Sequence, residues 1–335
     1  MNRLKLGVIG AGAWGRNHVR TVAGLADAEL AAVCDTQEKV RQTVGRQFPS
    51  AFVTDDVDAL LERVEAVVIA APAKTHAELA QRAIGAGKPC LVEKPFALGV
   101  ADAEAVAAAA AARKIPVLVG HLLVFHPAVD ALRALISAGE LGRVLYMYGL
   151  RVNLGQVRAD ENALWSFGPH DVSVALHLLG EAPVRVTAQG SCYLQPGVED
   201  VVFLHMEFAS GTVAHVQLSW LDPHKERRMT IVGSRRMVTF DDVSPSEKLR
   251  VFDKGYDRPP EYGSFGEFLT LRDGDVWAPK VEFAEPLRLE AEHFLSSVRT
   301  GATPRTDAAE GLWIVRLLVA AQRSLDEGGK PMEPT

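Results

Sequence analysis

The chain has 335 residues, 48% of them hydrophobic and 23% charged, with 36 basic against 42 acidic side chains and a formal net charge of −6. That length calls for two domains rather than one core. The mildly acidic balance argues against a nucleic acid or an anionic membrane as partner, since both favour clustered Lys and Arg.

Taken in chain order, Leu4–Ile9 is a short apolar strand ending at glycines, and Trp14–Leu25 has helical character. Glu29–Cys34 and Val64–Ala70 are strands and Thr75–Ala86 a helix; Pro89–Val92, Gly99–Lys114 and Pro116–Val119 continue as strand, helix and strand. Such alternation reads as βαβ units around a parallel sheet, an α/β fold. The all-apolar stretch Val67–Ala71 fits a strand buried on both faces.

Past about residue 122 the rhythm changes. His126–Ala138 and Gly168–Leu179 look helical, whereas Val144–Val152, Val184–Tyr193, Val201–Phe208, Thr212–Trp220 and Met229–Val232 alternate as strands. Turn signals at Pro196-Gly197 and Ser210-Gly211 separate some of these strands. The pattern predicts an antiparallel or mixed sheet, one face of which can meet another subunit. Ser244–Lys280, rich in Pro, Gly and charge, reads as an irregular excursion. Glu285–Thr300 and Asp307–Glu327 read as closing helices that pack on the first domain or the sheet. The expected division is residues 1–121 and 122–335.

Cys34, Cys90 and Cys192 all lie in apolar, strand-like stretches and form no CxxC pair. They read as buried thiols in a reducing compartment rather than as a disulfide framework or a zinc site, so no metal is expected. The longest apolar run, Val106–Ala112, is far short of the ~20 residues a membrane span needs. Met1 leads almost directly into the first strand, which leaves no room for a signal peptide and places the expected protein in the cytoplasm.

Gly10-Ala11-Gly12-Ala13-Trp14-Gly15 is a G-x-G-x-x-G between a strand and a helix, the context that gives this common pattern its meaning. Gly10 would allow the turn, Gly12 the approach of a pyrophosphate, and Gly15 close packing of helix on strand. The helix N-terminus then faces the phosphates. Asp35 ends the second strand, where a carboxylate can accept hydrogen bonds from both ribose hydroxyls and would repel a 2′-phosphate; Thr36 and Gln37 follow it, not Arg. The cofactor expected is NAD, a Rossmann domain its site. Trp14 either covers the cofactor or packs.

Val92-Glu93-Lys94-Pro95 closes a strand, and in open α/β sheets ligands sit beyond the carboxyl ends of strands. Lys94 is there either a point-charge donor to the reacting oxygen or a surface lysine in a turn. Pro95 restricts the Lys94 backbone, and a cis bond there would serve as a positioning device.

The ordered set GxGxxG, Asp35, Ala71-Pro72 with His76, Glu93-Lys94-Pro95, and later Gly168-Pro169-His170-Asp171 opening a helix that ends at Leu179-Gly180, resembles the Gfo/Idh/MocA oxidoreductases over essentially the whole chain. The resemblance implies a Rossmann domain followed by an α/β domain whose large open sheet serves homo-oligomerisation, as dimer or tetramer. It implies that Lys94 is the active-site lysine, with Ala71, Pro72, His76 and Glu93 also on the cofactor side, and that His170 exchanges the substrate proton. A histidine, whose ordinary pKa is ~6.5, suits that task. His177 is read as structural. Many members carry an Asp four residues before the histidine; Ser166 stands there and cannot supply its charge, and Asp171 cannot be assumed to replace it.

Arg151, Asn153, Arg158, Asn162 and Trp165, with Ser166 and Asp171, are the candidates for substrate contact; arginines suit a diphosphate or carboxylate. These stretches, and Trp220–Arg228, look like those of nucleotide-sugar enzymes of the family, including UDP-N-acetylglucosaminuronate 3-dehydrogenases, which oxidise a sugar C3 hydroxyl. A run such as Lys225–Arg228 is equally a solvated strand edge. Open alternatives are a dehydrogenase of a free sugar or inositol, a keto-sugar reductase, and a non-catalytic dinucleotide-binding regulator.

Overall fold

The computed structural model describes residues 3–155, 157–158, 161–257 and 270–335. The chain runs β1 (Leu4–Ile9), α1 (Gly15–Ala23), β2 (Ala28–Cys34), α2 (Glu38–Gln47), β3 (Phe52–Thr54), α3 (Val57–Leu61), β4 (Ala66–Ile69), α4 (His76–Gly85), β5 (Cys90–Glu93), α5 (Val100–Arg113) and β6 (Val117–Gly120). There follow α6 (Pro127–Ser137), β7 (Val144–Val152), α7 (Ala163–Leu179), β8 (Pro183–Ser191), β9 (Val201–Phe208), β10 (Val213–Ser219), β11 (Glu226–Gly233) and β12 (Met237–Asp241). The last elements are β13 (Leu249–Asp257), β14 (Thr270–Trp277), α8 (Pro286–Thr300) and α9 (Ala308–Asp326). The chain divides into two compact units, Met1–Phe125 with Ala284–Arg316, and His126–Phe283 with Leu317–Thr335.

In the first unit six parallel strands lie in the order β3-β2-β1-β4-β5-β6. This is the doubly wound arrangement that binds dinucleotides where the strand order reverses, here beyond β1 and β4. β4, β5 and β6 are buried along their whole length, as their apolar runs require. The short elements α2, β3 and α3 are too brief or too polar to stand out in the sequence alternation. Residues 284–316 return to this unit. α8 packs on α1 and on the helical turn Leu122–Phe125, while the Val119 N–H of β6 donates to Thr306 O and the Thr306 hydroxyl donates to Val119 O, each at 2.7 Å.

In the second unit eight strands lie in the order β14-β13-β12-β11-β7-β10-β9-β8. β7 and β10 are parallel and the other pairs antiparallel, so the sheet is mixed. Side chains alternate. Met147, Leu204, Met206 and Ile231 are buried, with α7 packed over β7, β9 and β10. Tyr146, Tyr148 and Phe203 are exposed on the other face.

Three expectations are corrected. Gly168-Pro169 does not open a helix; α7 begins at Ala163, where the Asn162 side chain accepts the Trp165 N–H at 3.1 Å and caps it. Pro169 therefore lies inside the helix, at the cost of one backbone hydrogen bond. Ser244–Lys280 is no mere excursion. It contains β13 and the edge strand β14, whose largely exposed residues carry no apolar alternation to betray them. Cys192 is exposed, one residue past the end of β8, whereas Cys34 and Cys90 are buried.

The alternation of β7 puts Arg151 on the covered face, where Nε donates to Asp171 of α7 at 2.5 Å with both side chains buried. Asp171→Ala would leave a buried, unpartnered guanidinium. It should cost about 3–5 kcal/mol, read as a fall in the urea midpoint of this unit's fluorescence or circular-dichroism transition.

Candidate active site

The glycine-rich turn joins β1 to α1. Gly10 has φ +86, and a Cβ on it would lie 2.7 Å from Ala70 O, so the turn presses on the end of β4. A Cβ at Gly15 would meet Gly10 O at 1.9 Å, whereas one at Gly12 would meet nothing within 4 Å. The turn is thus packed against the protein at Gly10 and Gly15 and open at Gly12, as a pyrophosphate cradle requires. No side chain caps α1 and no acidic residue stands in its first turn, so its N–H groups and dipole suit an anion.

Asp35 is buried at the end of β2. Its Oδ2 accepts the Ala11 N–H and its Oδ1 the Gln37 N–H, each at 2.8 Å. Each oxygen keeps a lone pair for a ribose hydroxyl. Arg41, which no sequence motif marks, donates to Asp35 O and Thr36 O and pairs with Asp55. These features fit NAD: an open cradle, a carboxylate at the ribose position and a basic neighbour already engaged.

Lys94 follows β5 and is half-buried, and its peptide bond to Pro95 is cis. Two side chains expected to face the cofactor are turned inward. His76 is buried in the first turn of α4. Its Nδ1 lies 2.8 Å from Pro95 O and its Nε2 2.8 Å from Ala71 O, so the ring ties the two loops together. Glu93 is buried too. Its Oε1 accepts from Trp14 Nε1 at 2.5 Å and His18 Nε2 at 2.6 Å, and its Oε2 accepts the Lys94 N–H at 3.0 Å. Burial pushes this carboxyl up, but the hydrogen bonds from His18 and Trp14 and the Lys94 charge outweigh it and hold the carboxyl below its ordinary value. Trp14 is thus anchored by its edge while 45% of it stays exposed. Ala13 and Pro72 are exposed and Ala71 is half-buried.

His121, just after β6, is another residue that no sequence motif marks. Its ring is buried, with no hydrogen-bond partner for either nitrogen. Burial lowers its pKa to about 4, against a partly opposing effect of Glu93. The unfolded chain therefore takes up this proton first, near pH 6.5. Stability due to His121 is full above that pH and falls as pH drops towards 4, by about 3 kcal/mol in all. Urea midpoints of wild type and His121→Gln at pH 7.5, 5.5 and 4.5 should show wild type losing more.

In the second unit His170 and Ser166 lie one turn apart on α7, which puts them on one face; His170 is half-buried. Asp171 is committed to Arg151 and does not stand in for the missing carboxylate. Nor does Arg151 offer its guanidinium to solvent. Asn162 is a cap whose Nδ2 donates to Glu199 at 2.6 Å and Gln322 at 2.9 Å, and Trp165 Nε1 shares Gln322 at 3.2 Å. Asp171, Arg151, Asn162 and Trp165 are thus all engaged within the protein. Asn153 is half-buried just past β7, and Arg158 is exposed and paired with Glu161 at 2.7 Å. His177 lies 3.1 Å from Arg133. Among the described residues no group of three or more His, Cys, Asp or Glu could hold a metal ion, and no helix is long and apolar enough to cross a membrane.

A doubly wound sheet with this turn and Asp35 defines a dinucleotide-binding protein, and the lysine beyond β5 suits an oxidoreductase. Comparison with known proteins agrees. The family model described as "Oxidoreductase family, NAD-binding Rossmann fold" matches residues 4–121, and that of the GFO/IDH/MocA C-terminal domain matches residues 129–239. The chain is 32% identical over 289 residues to UDP-N-acetylglucosamine 3-dehydrogenase of Acidithiobacillus ferrooxidans, covering 84% of this chain and 88% of that one. A solved structure of that enzyme, GnnA, superposes with a TM-score of 0.84 at 28% identity, over 98% and 99% of the two chains. Inositol 2-dehydrogenase of Rhizobium meliloti is 27% identical over 335 residues, 97% of each chain. The chain belongs to the Gfo/Idh/MocA family of oxidoreductases, and is an NAD-dependent dehydrogenase of the sugar type.

Proposed function

We propose that the protein oxidises a ring hydroxyl of a nucleotide sugar to the ketone, the substrate being UDP-N-acetylglucosaminuronate or a close relative oxidised at C3. The similarity to UDP-N-acetylglucosamine 3-dehydrogenase carries this reading. NAD, when bound, supplies the hydride acceptor. On this chain Gly10, Gly12, Gly15 and Asp35 hold the cofactor, Lys94 donates a hydrogen bond to the substrate oxygen as its C=O bond forms, and His170 takes the hydroxyl proton. Glu93 and His76 support this work from behind, through the Lys94 N–H and the Pro95 carbonyl.

One observation favours a second reading, an inositol or free-sugar dehydrogenase. Arg151, a candidate for gripping a diphosphate, is buried against Asp171, which leaves only the exposed Arg158 of that pair. The inositol relative fits this equally well.

The proposal includes a homo-oligomer, dimer or tetramer, built through the sheet face that bears Tyr146, Tyr148 and Phe203; exposed aromatics of this kind suit an interface. Three unbridged cysteines suit a cytoplasmic setting.

The test is NADH formation by purified protein with UDP-N-acetylglucosaminuronate, UDP-N-acetylglucosamine, UDP-glucuronate, myo-inositol and glucose. Turnover with a UDP sugar and not with the free polyols is the expected result. Turnover with myo-inositol alone would install the second reading. NADH binding without turnover in either direction would point to a regulator.

A further inference from the structure

Glu290 lies on the apolar stripe of α8, with Leu287, Ala291, Phe294 and Leu295, and is fully buried at 0% exposure. Neither carboxylate oxygen has a hydrogen-bond partner. An isolated ionised carboxylate in such a place is far costlier than a neutral acid. A leucine there would complete the stripe without that cost.

The first unit buries other polar groups as well, and they converge on Glu93. Glu93 is near enough for its charge to act on Glu290, and His121 feels both Glu93 and Lys94. His18, on α1, donates to Glu93, because a carboxylate can only accept. Gly120 leaves room for the arrangement: a Cβ there would lie 3.3 Å from Glu93 Oε2. Two neighbouring buried carboxyls do not both ionise. Glu93 has three donors and Glu290 none, so the charge belongs to Glu93. Burial first, then the Glu93 charge, raises the Glu290 pKa well above its ordinary value.

We infer that Glu290 is held as a neutral acid beside Glu93, and that Glu93, carrying the single negative charge of this buried cluster, is a positioning residue that ties the Trp14 indole and the Lys94 backbone together for hydride transfer. The inference rests on the proposed role of Lys94. It explains why two acids are buried in this unit: the charged one holds Trp14 of the glycine-rich turn and the Lys94 N–H, and the neutral one leaves that charge uncontested.

Two experiments test it. Infrared difference spectroscopy of wild type against Glu290→Gln near neutral pH, with no substrate present, should show the carbonyl stretch of one protonated carboxylic acid in wild type only. Absence of that band would overturn the neutral acid, whatever the substrate proves to be. Glu93→Gln, folded by circular dichroism, should lower kcat by about 100-fold, as a misplaced catalytic group does. It should also alter the NADH-induced change in Trp14 fluorescence, assigned with Trp14→Phe, while the Kd for NADH moves less than about threefold. An unchanged kcat, or a fall matched by an equal loss of NADH affinity, would overturn the positioning role. Failure of every substrate tested would count against the proposed function, and the infrared band would still decide the state of Glu290.

Discussion

Lys94→Ala should lower turnover by about a thousandfold, the combined scale of a lost transition-state donor and impaired proton transfer, and leave the Kd for NADH within a fewfold of wild type. The expectation rests on how the residue is held. Its N–H is bound by Glu93, the next carbonyl is bound by His76, and both supports survive truncation beyond Cβ. The loop should therefore stay in place while the ammonium is lost. Lys94→Arg should not rescue it, because a planar guanidinium is a poor substitute for a compact point charge. The measurement is steady-state NADH formation beside NADH fluorescence titration. Turnover within tenfold of wild type would remove Lys94 from the chemistry.

Gly15→Ala and Gly12→Ala should separate folding from binding. At Gly15 the added Cβ meets a backbone oxygen at 1.9 Å, which no side-chain rotation can relieve, so the turn itself must move. Overpacking on that scale costs about 3 kcal/mol, and if the displaced turn can no longer approach the cofactor, NADH affinity should fall by about 100-fold. At Gly12 the added methyl meets nothing within 4 Å. Thermal stability should then be kept while NADH affinity falls, since the methyl enters only the space the pyrophosphate needs. Calorimetry and NADH titration on both variants check this. Full affinity in Gly12→Ala would place the pyrophosphate elsewhere.

Part of the site is legible in the amino-acid sequence. Gly10, Gly12, Gly15 and Asp35 stand out because a tight turn and a strand end have local residue requirements, and Lys94 because it lies just beyond the apolar run Cys90–Val92 at the carboxyl end of β5. Glu290 is legible as well, as a charge at a core position of the 287, 291, 294, 295 stripe, but a stripe recognised by its leucines alone hides the acid within it. The start of α7 is harder to place, because Pro169 is a stronger local signal than the Asn162 cap that actually opens the helix.

Local pattern by itself determined the parallel dinucleotide domain, a second sheet of alternating strands and the NAD-type turn, because strand burial and turn geometry depend on neighbours within a few residues; that the second sheet is mixed was decided by the β7–β10 pairing. Only the tertiary structure decided which polar and charged side chains are held within the protein. Arg151 meets Asp171 across 20 residues, His18 meets Glu93 across 75, and Asn162 meets Gln322 across 160. A buried charge is settled by whichever partner the fold delivers, and at such separations the partner is set by how strands and helices pack.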